Sequence, residues 1–254
     1  MSAVPRDTII AFLDELLAVR SIEDFGPQGL QVEGKGEVRK VAVGVSASAE
    51  LFRRAAAAGA DLVICHHGMF WDGDSRVVRG GAKQRLQILL DHDITLLAYH
   101  LVLDAHEQHG NNAILARELG LARIERFAEY RGAAIGRRGA FDPPLPLAEL
   151  VERVRRVVGG DPLVFAFGPD PVRSLGLVSG GAPGDFHEAI RLGLDAYLTG
   201  EAREHIQEVA REERTTYIAA GHYRTETFGV RSLAERLARE FGVETVFLDV
   251  PNPV

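Results

Sequence analysis

The chain repeats itself. Residues 38–67 align without gaps to 172–201, pairing Val38 with Val172, Arg39 with Arg173, Phe52 with Phe186, Ala55 with Ala189, Gly59 with Gly193 and Asp61 with Asp195. Residues 100–120 align in the same way to 222–242, and both copies contain the run Leu-Ala-Arg-Glu, at Leu115 to Glu118 and Leu237 to Glu240. His100 then falls opposite His222, and Asp104 opposite Glu226. The spacing between the two blocks is longer in the first copy, which places an insertion around 68–80. Any two strand–helix–strand units share apolar positions and a glycine after the helix. The common Leu-Ala-Arg-Glu and the common His-x-x-x-acid go beyond that. A repeat of this kind restricts the chain to two versions of one supersecondary design.

The hydrophobic pattern says which design. Apolar residues at helical spacing predict helices over 5–20, 49–58, 82–91 and 112–119 in the first half. In the second half they predict helices over 146–157, 185–192, 201–211 and 229–240. Short β-branched or apolar runs predict strands over 41–45, 61–65, 94–99, 163–167, 174–178, 196–198, 216–220 and 244–248. Residues 25–36 read as a glycine-rich loop. Strands alternating with helices of about ten residues imply an α/β fold with a largely parallel sheet in each half. The expectation is two similar, internally duplicated α/β halves, 1–137 and 138–254, with a metal cleft between them. The halves are either separate or interlinked, and the connector is expected at 138–146 with its Asp-Pro-Pro.

Composition narrows the class. Of 254 residues, 46% are hydrophobic and 26% charged, which excludes a disordered chain. The longest apolar runs are too short to span a bilayer. The first residues lack a basic segment followed by an apolar one, so no secretory signal is expected. Cys65 is the only cysteine, which rules out an intrachain disulfide and fits a reducing cytoplasm. The net charge of -7 argues against a dedicated nucleic-acid binder.

Three polar clusters follow expected strands: His66-His67, His100 to Asp104, and His222 to Glu226. In parallel α/β folds, ligands bind outside the carboxyl ends of strands. Imidazole and carboxylate together suit Zn, Mn or Fe in the divalent state. The metal ligands expected are His66, His67, Asp104, His222 and Glu226, holding a pair of ions that the longer Glu226 can bridge. His100 is expected to face the site by its equivalence to His222, as a ligand, an orienting group or a proton donor; as a catalytic residue it is the candidate acid or base. Glu201 stands opposite His67 and is expected to point into the cleft. His92, His106, His109, His187 and His205 read as surface residues, and Cys65 as a buried, inert thiol.

At these residues the chain resembles a known family, the bacterial dinuclear metal-centre hexameric proteins. This is the NIF-like family often labelled GTP cyclohydrolase I type 2 homologues. The matching segments are Gln28-Gly29-Leu30-Gln31-Val32, the run from Gly59 to Gly68, the run from Tyr99 to His106, Gly110-Asn111-Asn112, Leu198-Thr199-Gly200-Glu201 and the run from Gly221 to Glu226. The resemblance implies His67 and Asp104 on one ion, His66 and His222 on the other, and Glu226 touching both. It also implies a toroidal homohexamer with its sites facing an internal cavity. Ser46-Ala47-Ser48 departs from the pattern, standing where relatives often carry an acidic residue.

Two functions fit. One is a metal-dependent hydrolase acting on a small-molecule substrate: a nucleotide, a phosphoester or a cyclic amide. The other is a non-catalytic metal-binding or assembly ring. Gly34-Lys35-Gly36 lacks the pattern of a phosphate-binding loop.

Overall fold

The structure, a computed structural model, describes residues 3–254. Contacts divide it into two compact units. The first holds the chain up to Leu103 together with Gly229–Pro251; the second holds Asp104–Phe228 with Asn252–Val254. The boundary expected at 137/138 falls inside a strand, and the first unit recovers its last helix and strand from the far end of the chain.

The first unit opens with β1 (Val4–Pro5), α1 (Arg6–Leu16), β2 (Gly29–Val32) and β3 (Glu37–Val38). β4 (Lys40–Ser46), α2 (Ala49–Ala57), β5 (Leu62–His67), α3 (Gly80–Asp91) and β6 (Thr95–Ala98) follow. α4 (Leu101–Ala105) leads into the second unit, which continues with α5 (Asn111–Glu118), β7 (Ala122–Tyr130) and β8 (Ala133–Leu145). Next come α6 (Leu147–Val158), β9 (Leu163–Phe165), β10 (Val172–Leu177), α7 (Phe186–Arg191) and β11 (Ala196–Thr199). α8 (Ile206–Glu212), β12 (Thr216–Ala219) and α9 (His222–Thr225) complete that unit. α10 (Thr227–Phe241) and β13 (Glu244–Phe247) return to the first.

The main sheet of the first unit has the order β13-β4-β5-β6-β2. Its pairings are parallel except β2 against β6. This sheet is largely parallel, as expected. β4 and β5 are buried along almost their whole length, because a parallel sheet covered on both faces takes apolar residues at consecutive positions. α2 starts at Ser48, whose side chain accepts the Leu51 N–H, a helix N-cap. It packs so close to β4 that a Cβ on Gly44 would lie 2.6 Å from Leu51 Cδ1. Phe52, Ala55, Val63, Leu89 and Leu96 share the core beneath, and burying each larger side chain contributes about 1.5–3 kcal/mol.

The sheet of the second unit runs β7-β8-β10-β11-β12-β9. Only β10–β11 and β11–β12 are parallel; β7–β8, β8–β10 and β9–β12 are antiparallel. The expectation of a largely parallel sheet in each half therefore does not hold here. The cause is the hairpin of β7 and β8, whose first strand is largely exposed and carries no apolar period. Its two-residue loop, Arg131-Gly132, has positive φ at both positions (48° and 82°), the geometry that matches strand twist in a tight hairpin. Residues 138–145 belong to β8, so the expected connector is strand. β2 likewise occupies part of the expected loop 25–36.

Candidate metal centre

Each polar cluster stands at a strand end. His66 and His67 are the last two residues of β5, His100 follows β6 and precedes α4, and His222 follows β12 as the first residue of α9.

In the first unit the rings of His66, His67 and His100 gather in one place. Centroids are 4.9 Å apart for His66–His67, 5.0 Å for His66–His100 and 5.5 Å for His67–His100. One ring nitrogen of each lies within 4.8 Å of the other two. Each Nδ1 has a partner: His66 Nδ1 is 3.1 Å from the Tyr99 carbonyl, and His67 Nδ1 is 3.2 Å from Ser46 Oγ. Ser46, the first residue of the departing Ser-Ala-Ser, therefore orients His67. Trp71 stands edge-on to His100 at 5.3 Å.

Asp24 and Gln28, absent from the expected site residues, hold His100 from the loop before β2. Asp24 Oδ1 is 2.9 Å from His100 Nδ1, and Gln28 Oε1 accepts the His100 backbone N–H at 2.8 Å. Burial works against ionised Asp24. The bond to His100 and the N–H groups of Leu101 and Phe25 outweigh it and hold the carboxyl below its ordinary range.

In the second unit, Asp104 is buried and its Oδ1 accepts Asn111 Nδ2 at 2.9 Å and Ser179 Oγ at 3.0 Å. His222 Nε2 is 3.2 Å from Glu226 Oε2, and His222 Nδ1 is 2.5 Å from Glu201 Oε1. Glu201 thus reaches the His222–Glu226 cluster of its own unit. It can do so because α8 starts at Ile206 rather than at 201. Burial of the His222 ring disfavours its charged form, but Glu226 and Glu201 outweigh this and push the imidazole up to about 9. Two carboxylates on one ring make a place that favours a cation, whether proton or metal.

Glycines make room for this cluster. Gly180 has φ +67°, and a Cβ there would sit 2.1 Å from Glu226 Oε1 and 3.1 Å from His222 Nε2. A Cβ on Gly200 would lie 2.5 Å from His222 Cα. Their signal in the sequence, small residues just after expected strands, is readable only once the strand ends are known to converge.

The donor set fits divalent transition ions: imidazoles and carboxylates at strand ends, all of them partly or fully buried. Of the histidines read as surface residues, His92, His187 and His205 are exposed, whereas His106 and His109 are half-buried. His106 and His109 are near neighbours, their ring centroids 5.1 Å apart. Cys65 is buried, and burial pushes its thiol up, away from the reactive thiolate.

Among the described residues, no helix is long and apolar enough to cross a membrane. The model of the DUF34/NIF3 (NGG1p interacting factor 3) family matches residues 4–253. A Pseudomonas aeruginosa protein called a GTP cyclohydrolase 1 type 2 homolog is 41% identical over 251 residues, covering 99% of each chain. An Archaeoglobus fulgidus protein of the same description is 40% identical over 244 residues, 96% of this chain and 97% of that one. Among solved structures, protein ybgI, described as of unknown function, superposes with a TM-score of 0.93 at 39% identity, covering 99% of this chain and 100% of the other. TTHA1606 from Thermus thermophilus gives a TM-score of 0.89 at 39% identity with the same coverage. The match runs through both units and spans every candidate ligand, and on that footing the chain belongs to the DUF34/NIF3 family.

Proposed function

We propose that the chain binds two divalent metal ions through His66, His67, Asp104, His222 and Glu226 and hydrolyses a nucleotide, a phosphoester or a cyclic amide. One observation carries this reading. Each of the three histidines among these residues commits Nδ1 to a partner: a carbonyl for His66, a hydroxyl for His67 and a carboxylate for His222. Histidines that ligate metals commonly use one nitrogen in this way, which fixes the ring and turns the other nitrogen to the ion.

Bound divalent ions supply Lewis acidity and stabilise negative charge developing on the substrate. The chain's own residues do the rest. Asn111 and Ser179 hold Asp104 in place through its Oδ1. Gly180 leaves the Glu226 carboxylate its room beside His222, where it would help to hold the ions. His100 is the proton-transfer group. The family resemblance supports a homohexamer, with a native mass about six times 27.7 kDa. The single, buried cysteine supports a cytoplasmic setting.

Elemental analysis of purified protein tests the metal reading, with two equivalents of Zn, Fe or Mn per chain expected. A screen of the metal-loaded protein on nucleotides, phosphoesters and cyclic amides tests the reaction. Bound metal without turnover on any of them would favour the alternative of a metal-storing or assembly ring.

A further inference from the structure

The loop between α1 and β2 contains a buried carboxylate that is not among the proposed metal ligands. The Asp24 side chain is wholly inaccessible. Its Oδ1 accepts the Phe25 N–H at 2.7 Å and faces His100 Nδ1 at 2.9 Å, and its Oδ2 accepts the Leu101 N–H at 2.8 Å. Backbone donors on both oxygens favour the ionised carboxylate. An ionised carboxylate has no proton to give, so the proton between the two groups sits on His100 Nδ1. The lone pair of the neutral ring is then on Nε2. The Gln28 side chain ties the His100 backbone to the same loop, so the residue is held at two points.

We propose that Asp24 is the positioning residue of His100, holding the ring in the Nδ1–H tautomer beside His66 and His67 so that Nε2 is the atom that takes and returns the proton. This rests on the reading of His100 as the proton-transfer group. In the step, Nε2 accepts a proton from the attacking water. The ring becomes an imidazolium whose Nδ1–H still faces Asp24, and Nε2–H gives the proton to the leaving group. Asp24 stays ionised throughout, as an orienting carboxylate does in other acid–base pairs. The contrast within the first unit supports this division of labour. His66 and His67 rest on a neutral carbonyl and a neutral hydroxyl, whereas His100, which must gain a positive charge, rests on a buried negative one.

The test reads the tautomer directly. Metal-free protein with 15N-labelled histidine is examined by long-range 1H–15N correlation at about pH 8.5, well above the ordinary imidazole value near 6.5. His100 is assigned by its loss in His100→Gln. The wild type is expected to show Nδ1 protonated and Nε2 bare. Asp24→Asn is expected to shift His100 toward the other tautomer and to keep the wild-type zinc content. Gln28→Leu removes only the backbone tie and is expected to leave the tautomer unchanged. An Nε2–H tautomer in the wild type overturns the proposal, and this holds even if Asp24→Asn does not fold. So does an unaltered His100 in folded Asp24→Asn, a tautomer change in Gln28→Leu, or loss of zinc from Asp24→Asn. If the wild type takes up no zinc, the metal reading fails while the tautomer result still decides the role of Asp24.

Discussion

The entry to β4 in the first unit and the entry to β10 in the second are tied by the same bonds. Asp61 Oδ2 accepts the N–H groups of Arg39 and Lys40 at 2.9 and 3.2 Å; Asp195 Oδ2 accepts those of Arg173 and Ser174 at 2.7 and 3.1 Å. The Asp61 carbonyl accepts the Thr95 N–H and the Asp195 carbonyl that of Thr216, both at 3.0 Å. The hydroxyls of Thr95 and Thr216 then accept the N–H groups of Gly34 and Gly168, both at 3.1 Å. Strand order agrees too: β4-β5-β6 and β10-β11-β12 are parallel, with antiparallel β2 beside β6 and β9 beside β12. The opposite ends of these strands differ. β5 ends in His66-His67, whereas β11 is followed by Gly200-Glu201, so the first unit offers imidazoles where the second offers a carboxylate. The N-terminal, lower ends of the strands keep what folding needs, while the C-terminal, upper ends are free to diverge in chemistry.

The comparison can be broken most severely at the upper ends. Changing Glu226 to Ala removes the proposed bridging carboxylate, and loss of both metal equivalents is expected by elemental analysis. Changing Asp104 should deplete mainly one. Two equivalents retained in Glu226→Ala would show that the ligand assignment is wrong.

At the lower ends, a Cβ on Gly34 would lie 2.5 Å from the Ile94 and Thr95 backbone, and one on Gly168 would lie 2.5 Å from the Asp195 carbonyl. Neither neighbour is a side chain that can swing away. Gly34→Ala and Gly168→Ala should each cost about 3 kcal/mol in denaturant unfolding. A large effect at one and none at the other would separate the two clasps.

Glu201→Gln sharpens the difference between the upper ends. It leaves the His222 ring a weaker partner and should lower zinc affinity about 10–100-fold by competition with a chelator. Unaltered affinity would remove Glu201 from the site.

Asp61→Ala and Asp195→Ala should each cost about 1–3 kcal/mol, since each strands two backbone N–H groups. Asp61 also meets Lys35 Nζ at 3.0 Å. Burial opposes its charge, but the N–H groups of Arg39 and Lys40 and the Lys35 ammonium prevail and hold its carboxyl below the ordinary value. Because the folded value is depressed, this stabilisation is complete above the unfolded value of about 3.9 and is lost as pH falls through the lower, folded value. Acid unfolding of Asp61→Asn should lack that part of the slope, and an identical slope would argue against it.

The smallest effect is expected at Cys65. It should resist thiol reagents in the folded protein and react only on unfolding, so labelling in native buffer would contradict its burial.

The apolar strands were legible because β4, β5, β6, β11 and β12 are short runs that stay apolar whichever face is asked. The hairpin of β7 and β8 was not legible. β7 carries Arg123, Glu125, Arg126 and Glu129, with only Phe127 and Ala128 buried, so no apolar period marks it. β8 contains Gly136, Gly139 and Pro143-Pro144, residues that read as loop until a neighbouring strand pairs with them.

The sequence by itself determined the segments that align, the placing of three polar clusters at strand ends and the residue types able to hold a metal, because these depend on local order along the chain. The tertiary structure decided the partners of those residues. Asp24 on His100, Ser46 on His67, Ser179 on Asp104 and Glu201 on His222 are separated in sequence by 76, 21, 75 and 21 positions. No periodicity connects residues so far apart. Their meeting depends on strand register and on how closely glycines let the strand ends approach, and both are settled only when the sheets form.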